Sequence, residues 1–291
     1  MEKIILAKSA GFCFGVKLAV DCAYESSENE LIYTYGPIIH NKNVVGDLEK
    51  YGVRCVEDIQ EFKKLKKINK NFKVIIRSHG IPLEIYNEFE SNNISYIDCT
   101  CPFVKKIHKI VYENYKTGKS IIIIGNKNHP EIIGINGFCN NTAIILEKYE
   151  EVVDFIENFS QELINYILVV QTTFDVNLFG EIKNVIIHKK NIKIFKTICN
   201  ATNERQKEAI SIAENVDIMV VLGDINSSNT QKLFSICKKK CPNTYLCEKI
   251  QDLQLNNLSK NVKIGVTAGA STPLAIIKEG LNYLNRCYQD L

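Results

Sequence analysis

Short Val- and Ile-rich runs alternate with amphipathic stretches along almost the whole 291-residue chain, and this alternation restricts the fold more than any other feature. Strands are predicted at 3–7, 31–35, 73–76, 95–98, 120–124, 167–170, 217–222 and 263–266. Several are apolar at every position rather than at every second one, as strands buried on both faces should be. Helices are predicted at about 15–26, 82–92, 102–117, 175–189, 203–214, 229–239 and 273–286. Such alternation gives an α/β fold with mainly parallel sheets. No low-complexity linker or Pro/Gly-rich hinge interrupts it, so domains must abut directly.

Composition excludes several functional classes. The 45% apolar and 24% charged content is that of an ordinary soluble globular protein. A net charge of +3 is too small to argue for a nucleic-acid partner. The dense basic runs, Lys63-Lys64, Lys66-Lys67 and Lys238-Lys239-Lys240, read as solvated helix faces. No apolar stretch reaches the ~18 residues that span a bilayer, and the N-terminus lacks the apolar core of a signal peptide. A cytoplasmic protein with no membrane partner is expected.

Eleven cysteines are many for such a chain, and a reducing compartment turns them toward metal or redox use rather than a disulfide framework. Cys22, Cys55, Cys139 and Cys287 lie among apolar or helical residues and read as small hydrophobes. Cys237, Cys241 and Cys247 could be read as a zinc clip, but their spacing is weak and no histidine lies nearby. The segment Asp98-Cys99-Thr100-Cys101-Pro102 differs from these. It closes a predicted strand and opens a predicted helix, with proline at the first helical position. A thiol at Cys101 would face unpaired backbone N–H groups and the positive end of the helix dipole, which favour thiolate.

Spacing extends that observation to the whole chain. Cys13, Cys101 and Cys199 stand 88 and 98 residues apart. A polar loop follows each after 27 or 28 residues, at His40, His129 and Ser227. A second follows after 66, 71 and 72 residues, at His79, Thr172 and Ser271. The recurrence predicts three similar α/β lobes, 1–99, 100–197 and 198–291, about a pseudo-threefold axis; a period near ninety is too long for a solenoid. Such an axis would bring three thiolates together without a fourth protein ligand. That suits a 4Fe-4S cluster with one open iron, or less well a zinc with an open position.

The polar loops lie at the carboxyl ends of the predicted strands, where α/β sheets bind ligands. His40, His79, Ser227, Asn229 and Ser271 are donors, and Lys127 is the one basic side chain among these loops. No P-loop is present, yet such donors with helix N-termini can cradle a phosphate or diphosphate. Plain helix capping is the alternative for the Ser and Asn positions. Glu131, in His129-Pro130-Glu131, could relay a proton with Thr172 and His129, or could simply be a helix N-terminal acid.

Together these residues resemble the LytB (IspH) family of 4-hydroxy-3-methylbut-2-enyl diphosphate reductases. The likeness rests on Gly11-Phe12-Cys13-Phe14-Gly15-Val16, His40-Asn41, Ser78-His79-Gly80, Thr100-Cys101-Pro102 and His129-Pro130-Glu131. It continues through Gln171-Thr172-Thr173, Cys199-Asn200-Ala201-Thr202, Ser227-Ser228-Asn229 and Thr267-Ala268-Gly269-Ala270-Ser271, so it covers essentially the whole chain. Leu18, where many members carry a basic residue, and Cys99, where a small residue is usual, depart from the pattern.

The resemblance implies a three-lobed protein with a central 4Fe-4S cluster on Cys13, Cys101 and Cys199. It implies substrate contacts at His40, His79, His129, Thr172, Ser227, Ser228, Asn229 and Ser271, with Glu131 as proton donor, aided by Thr172 and His129. The implied reaction is a reductive dehydroxylation of the allylic diphosphate to isopentenyl and dimethylallyl diphosphate, the last step of the methylerythritol phosphate isoprenoid route. Reduced ferredoxin or flavodoxin would supply electrons, with the lysine runs as part of the docking face. A non-enzymatic iron–sulfur sensor and a zinc phosphoesterase are the competing classes.

Overall fold

The computed structural model describes residues 3–28, 30–69, 71–158, 164–253 and 261–289. The chain opens with β1 (Ile4–Leu6) and α1 (Phe14–Ser27). Next come β2 (Ile32–Tyr35), α2 (Lys42–Lys50), β3 (Arg54–Val56), α3 (Ile59–Ile68), β4 (Lys73–Ile76), α4 (Leu83–Ser91) and β5 (Tyr96–Asp98). The middle of the chain holds α5 (Pro102–Lys116), β6 (Ser120–Ile124), α6 (Pro130–Gly137), β7 (Ile144–Leu146), α7 (Tyr149–Glu157), β8 (Tyr166–Val170), α8 (Val176–Ile186) and β9 (Ile192–Ile194). The last part holds α9 (Asn200–Ala213), β10 (Ile218–Leu222), α10 (Ser228–Lys238), β11 (Thr244–Cys247), β12 (Ile264–Ala268) and α11 (Leu274–Gln289).

These elements form three four-stranded sheets, all parallel, with orders β3-β2-β4-β5, β7-β6-β8-β9 and β11-β10-β12-β1. Numbered by position, each sheet reads second, first, third, fourth. In the last sheet the fourth place is taken by β1, from the opposite end of the chain, paired Ile4 to Ile264. The three similar parallel α/β lobes expected from the repeat are therefore present. The four strands not foreseen, β3, β7, β9 and β11, have only three or four residues and lie at sheet edges.

The chain divides into two compact units, one of residues 1–17, 40–45 and 200–291, the other of 18–39 and 46–199. The second holds the first two sheets. In its β6 and β8, alternate residues serve opposite cores. Ile122, Ile124, Leu168 and Val170 pack against α7 and α8, whereas Ile121, Ile123, Ile167 and Val169 pack against α5 and α6. Both sets are apolar because both faces are covered, and each such side chain contributes about 1.5–3 kcal/mol of burial.

Several cysteine readings need correction. Cys139 is buried as expected, but Cys55 is exposed on the edge strand β3. Cys237 and Cys241 join the core on one face of the β10 sheet with Met219 and Val221, whereas Cys247 joins the core on the other with Val220 and Leu222. A sheet separates them, so the zinc-clip reading fails. Burial pushes the Cys237 and Cys247 thiols up to about 12, which keeps them protonated core side chains.

Candidate active site

The shared strand order shows where the motif residues fall. In each sheet the loop after the first strand carries one of them: His40 after β2, His129 after β6, Ser227 after β10. The loop after the third strand carries another: His79 after β4, Thr172 after β8, Ser271 after β12. The loop after the fourth strand carries the cysteine: Cys101 after β5, Cys199 after β9, Cys13 after β1. All nine follow the carboxyl end of a parallel strand, where helix N-termini gather.

Each cysteine is held in the same way. The backbone N–H of Cys101 donates to Ser78 O at 2.9 Å, that of Cys199 to Thr172 O at 3.2 Å, and that of Cys13 to Ala270 O at 3.2 Å. Every acceptor lies in the third-strand loop of the same sheet, next to or at the polar motif residue. Each cysteine also directly precedes or caps a helix, α1, α5 or α9, whose dipole and first N–H groups favour an anionic ligand atom. All three are half-buried and none is in a disulfide. Each thiol so placed is the kind of donor an iron–sulfur cluster takes.

In the second unit the polar residues lie against one another. His129 caps α6: its Nδ1 accepts the backbone N–H of Glu131 at 3.1 Å. An Nδ1 used as acceptor leaves the neutral ring's proton on Nε2, so His129 presents a donor there. The His79 and His129 rings meet edge to face with centroids 5.2 Å apart. Glu131, at 1% exposure, accepts two bonds of 2.7 Å from Thr172, from its backbone N–H to Oε1 and from its hydroxyl to Oε2. Burial raises the Glu131 carboxyl to about 7, against the lowering effect of both Thr172 bonds. Thr172 in turn gives its carbonyl to Cys199. The Glu131 carboxylate and the Cys199 backbone are thus joined through one residue, Thr172.

In the first unit the corresponding loops place serine and asparagine at the matching positions, with buried Asp224 upstream of Ser227. Ser227 caps α10 by accepting the Thr230 N–H, and its hydroxyl also receives a bond from Ser271 at 3.4 Å. Ser271 donates to His40 O at 3.0 Å, and Asn41 Nδ2 donates to Ser271 O at 2.8 Å. Asn229 is buried, and its Nδ2 has no hydrogen-bond partner. An orphaned buried amide donor is costly unless a ligand satisfies it. Ser228 opens α10 half-buried, and Lys127 is exposed with its backbone N–H given to Glu147.

Two supporting residues escaped the sequence reading. Arg205 on α9, 3% exposed, donates to Ala268 O at 2.8 Å and Gly11 O at 3.0 Å. It thereby ties the loops of Ser271 and Cys13. His108 on α5 is stacked on Phe138 at 4.2 Å and buried against Gly80, where a Cβ would lie 2.5 Å from its ring. Gly80 also has φ +74°, so the Ser78-His79-Gly80 turn requires glycine twice over. Burial lowers His108 to about 4, which keeps it neutral. In the sequence both look like ordinary polar residues of a helix.

The family model described as LytB protein matches residues 4–285. The chain belongs to the LytB family. A 4-hydroxy-3-methylbut-2-enyl diphosphate reductase of Thermoanaerobacter sp. (strain X514) is 44% identical over 95% of this chain and 94% of its own. One from Clostridioides difficile (strain 630) is 43% identical over 97% and 98%. Among solved structures, the E-1-hydroxy-2-methyl-but-2-enyl-4-diphosphate reductase from Plasmodium falciparum superposes with a TM-score of 0.85 at 31% identity, covering 97% of this chain and 87% of that one. A second, described as the terminal enzyme of the non-mevalonate pathway, gives 0.68 at 37% identity, over 98% and 100%. The motif residues laid out on the three sheets above all fall within the matched range.

Proposed function

We propose that this chain carries out the reaction its relatives are named for, as an oxidoreductase that removes the hydroxyl of 4-hydroxy-3-methylbut-2-enyl diphosphate to give isopentenyl and dimethylallyl diphosphate. The observation that carries the mechanism is Glu131: a buried carboxyl raised to about 7, hydrogen-bonded twice to the residue whose carbonyl holds Cys199. An acid poised near neutrality beside a ligand position serves proton delivery, and neither a sensor nor a phosphoesterase needs it.

Cys13, Cys101 and Cys199 would hold a 4Fe-4S cluster, whose bound form supplies electrons and a Lewis-acidic iron. Ser227, Ser228, Asn229, Ser271, His40 and His79 would bind the diphosphate, with the Asn229 amide gaining the acceptor it lacks. His129 would orient the substrate through its Nε2–H. Protonated Glu131 donates to the Thr172 hydroxyl across the same 2.7 Å contact, and Thr172 passes its own proton on as the hydroxyl departs. Loss of water thus needs no bulk proton source at the moment of C–O cleavage.

Reduced ferredoxin or flavodoxin is the proposed donor. Lys63 and Lys240 are ion-paired with Glu88 and Glu214 at 2.7 Å, which leaves exposed Lys64, Lys67, Lys238 and Lys239 as the part of the runs facing solvent. Neutralising those four should slow donor-dependent turnover and flatten its salt dependence; unchanged kinetics would remove them from the docking face. Among the described residues no helix is long and apolar enough to cross a membrane, and a cytoplasmic site is proposed.

The test of the activity is direct. Protein purified without oxygen should be brown, with iron and sulfide in near-equal amounts. It should convert the allylic diphosphate when given dithionite-reduced methyl viologen. Colourless protein with stoichiometric zinc would overturn the assignment.

A further inference from the structure

Of the three proposed ligand cysteines, Cys13 alone follows a strand, β1, that comes from the opposite end of the chain to its sheet partner. The chain turns directly after β1, where the Ala10 N–H donates to Ala7 O at 3.1 Å. Both N–H groups inside that turn go to Glu208 on α9: Lys8 donates to Oε1 at 2.7 Å and Ser9 to Oε2 at 2.9 Å. The Ser9 hydroxyl donates to the same Oε2. Three residues earlier on α9, Arg205 donates to Gly11 O at 3.0 Å. Residues three apart share a helix face, so one face of α9 grips the loop at two points. That helix is a fixed reference, because Ala209, Ile212 and Ala213 are buried in the core that also takes Ala7 and Ala10. The other two cysteines are braced by side chains close to them in sequence. Asp98 accepts the Thr100 N–H at 3.0 Å and pairs with Lys105 at 2.8 Å. The Thr197 hydroxyl, two residues before Cys199, donates to Val170 O and accepts the Val170 N–H.

We propose that Glu208 is a positioning residue for Cys13: together with Arg205 it fixes the turn from which the Cys13 thiol is offered to a metal centre. The inference rests on the reading of Cys13 as a cluster ligand. A carboxylate that accepts two successive amides makes charge-assisted bonds, stronger than those between neutral groups. Lys8 is exposed, and Ser9 and Glu208 are half-buried. Without Glu208 the two N–H groups would therefore turn to water, which costs the fold little. The loop, however, would lose its fixed geometry. Groups that orient a ligand from behind change metal affinity by about 10–100-fold when removed. Loss of Glu208 should thus fall on metal retention more than on folding.

The experiment uses protein purified without oxygen and follows loss of iron to the chelator bathophenanthroline disulfonate. Glu208→Ala should hold iron at the parent's level but lose it about tenfold faster. Glu208→Gln keeps one acceptor and sets an amide N–H against the other donor, so its rate should lie between the two. It also carries the test if Glu208→Ala fails to fold. Asp58→Ala serves as the control for stability alone: it removes the cap of α3, where Asp58 accepts the Gln60 N–H at 2.8 Å. It should lower the melting temperature and leave iron loss unchanged. Hydrogen exchange on the same samples should quicken over residues 7–13 in Glu208→Ala, and stay at the parent's rate around Cys101 and Cys199. Iron loss at the parent's rate in Glu208→Ala, or equal acceleration in Asp58→Ala at a matched drop in melting temperature, would overturn the proposal. A colourless parent protein would remove the cluster reading and this inference with it; a brown parent with unchanged iron loss in the variants would remove this inference alone.

Discussion

The second and first units place polar residues at the same positions of the same sheet topology, yet fill them with different chemistry. After the first and third strands of its second sheet, the second unit has His129 and Thr172, with Glu131 two residues on, and Glu131 is raised to about 7. At the matching places the first unit has Ser227 and Ser271, with Asn229 two residues after Ser227. One arrangement can change its protonation near neutrality; the other can only donate and accept hydrogen bonds. A repeated scaffold thus carries a titratable set at these positions in one unit and a neutral set in the other, and under the proposed function substitutions in the two regions should fail in different ways.

The largest effect is expected on the titrating side. Glu131→Gln keeps the size and an acceptor for the Thr172 N–H but removes the acid. Turnover should fall by about 10²–10⁴-fold with iron content and substrate binding retained. Full activity in that variant would end the division drawn above.

Next comes the scaffold of the first unit. Arg205→Met would strand the carbonyls of Gly11 and Ala268 in the core. Each loss costs on the order of 1–3 kcal/mol, so melting should fall by roughly 5–15 °C. Arg205→Lys should recover part of this, because one ammonium can reach one carbonyl but not hold both in a fork. Smaller still, Asn229→Ala should raise KM about tenfold with kcat nearly unchanged, as expected for a group that binds substrate and transition state alike. A kcat loss without a KM change would move Asn229 from binding into the chemistry.

Much of this was legible before any coordinates, for identifiable reasons. Central strands such as β6 and β8 announce themselves because both faces are buried and every residue is apolar. The repeat was visible because parallel β/α units put their functional loops at nearly constant spacing. The edge strands β3, β7, β9 and β11 were not, since a run such as Arg54-Cys55-Val56 has neither the length nor the pattern of a buried strand. Nor could the sequence show that β1 completes the sheet of residues 218–268, because strand pairing between chain ends leaves no local signal. The role of Arg205 was hidden likewise: a helix face can be guessed from periodicity, but not which carbonyl waits opposite it.

The finest test of the comparison is the pH profile. Glu131 serves as an acid only while protonated, and its carboxyl is raised from about 4.5 to about 7. Turnover limited by proton delivery should therefore hold below neutrality and decline as pH climbs through 7, and Glu131→Gln should lose that limb altogether. The Thr172 hydroxyl bond lowers the carboxyl, because it stabilises the ionised form. Thr172→Val removes that bond and leaves the backbone one, so the declining limb should move to higher pH even as the maximal rate drops through loss of the relay. At pH 8 the fraction of acid form would rise by up to about tenfold. Ser227→Ala, at the topologically matching loop of the first unit, should lower affinity without moving the limb. Displacement of the limb by both variants would mean that the serine loop takes part in proton transfer, and the division between the two regions would dissolve.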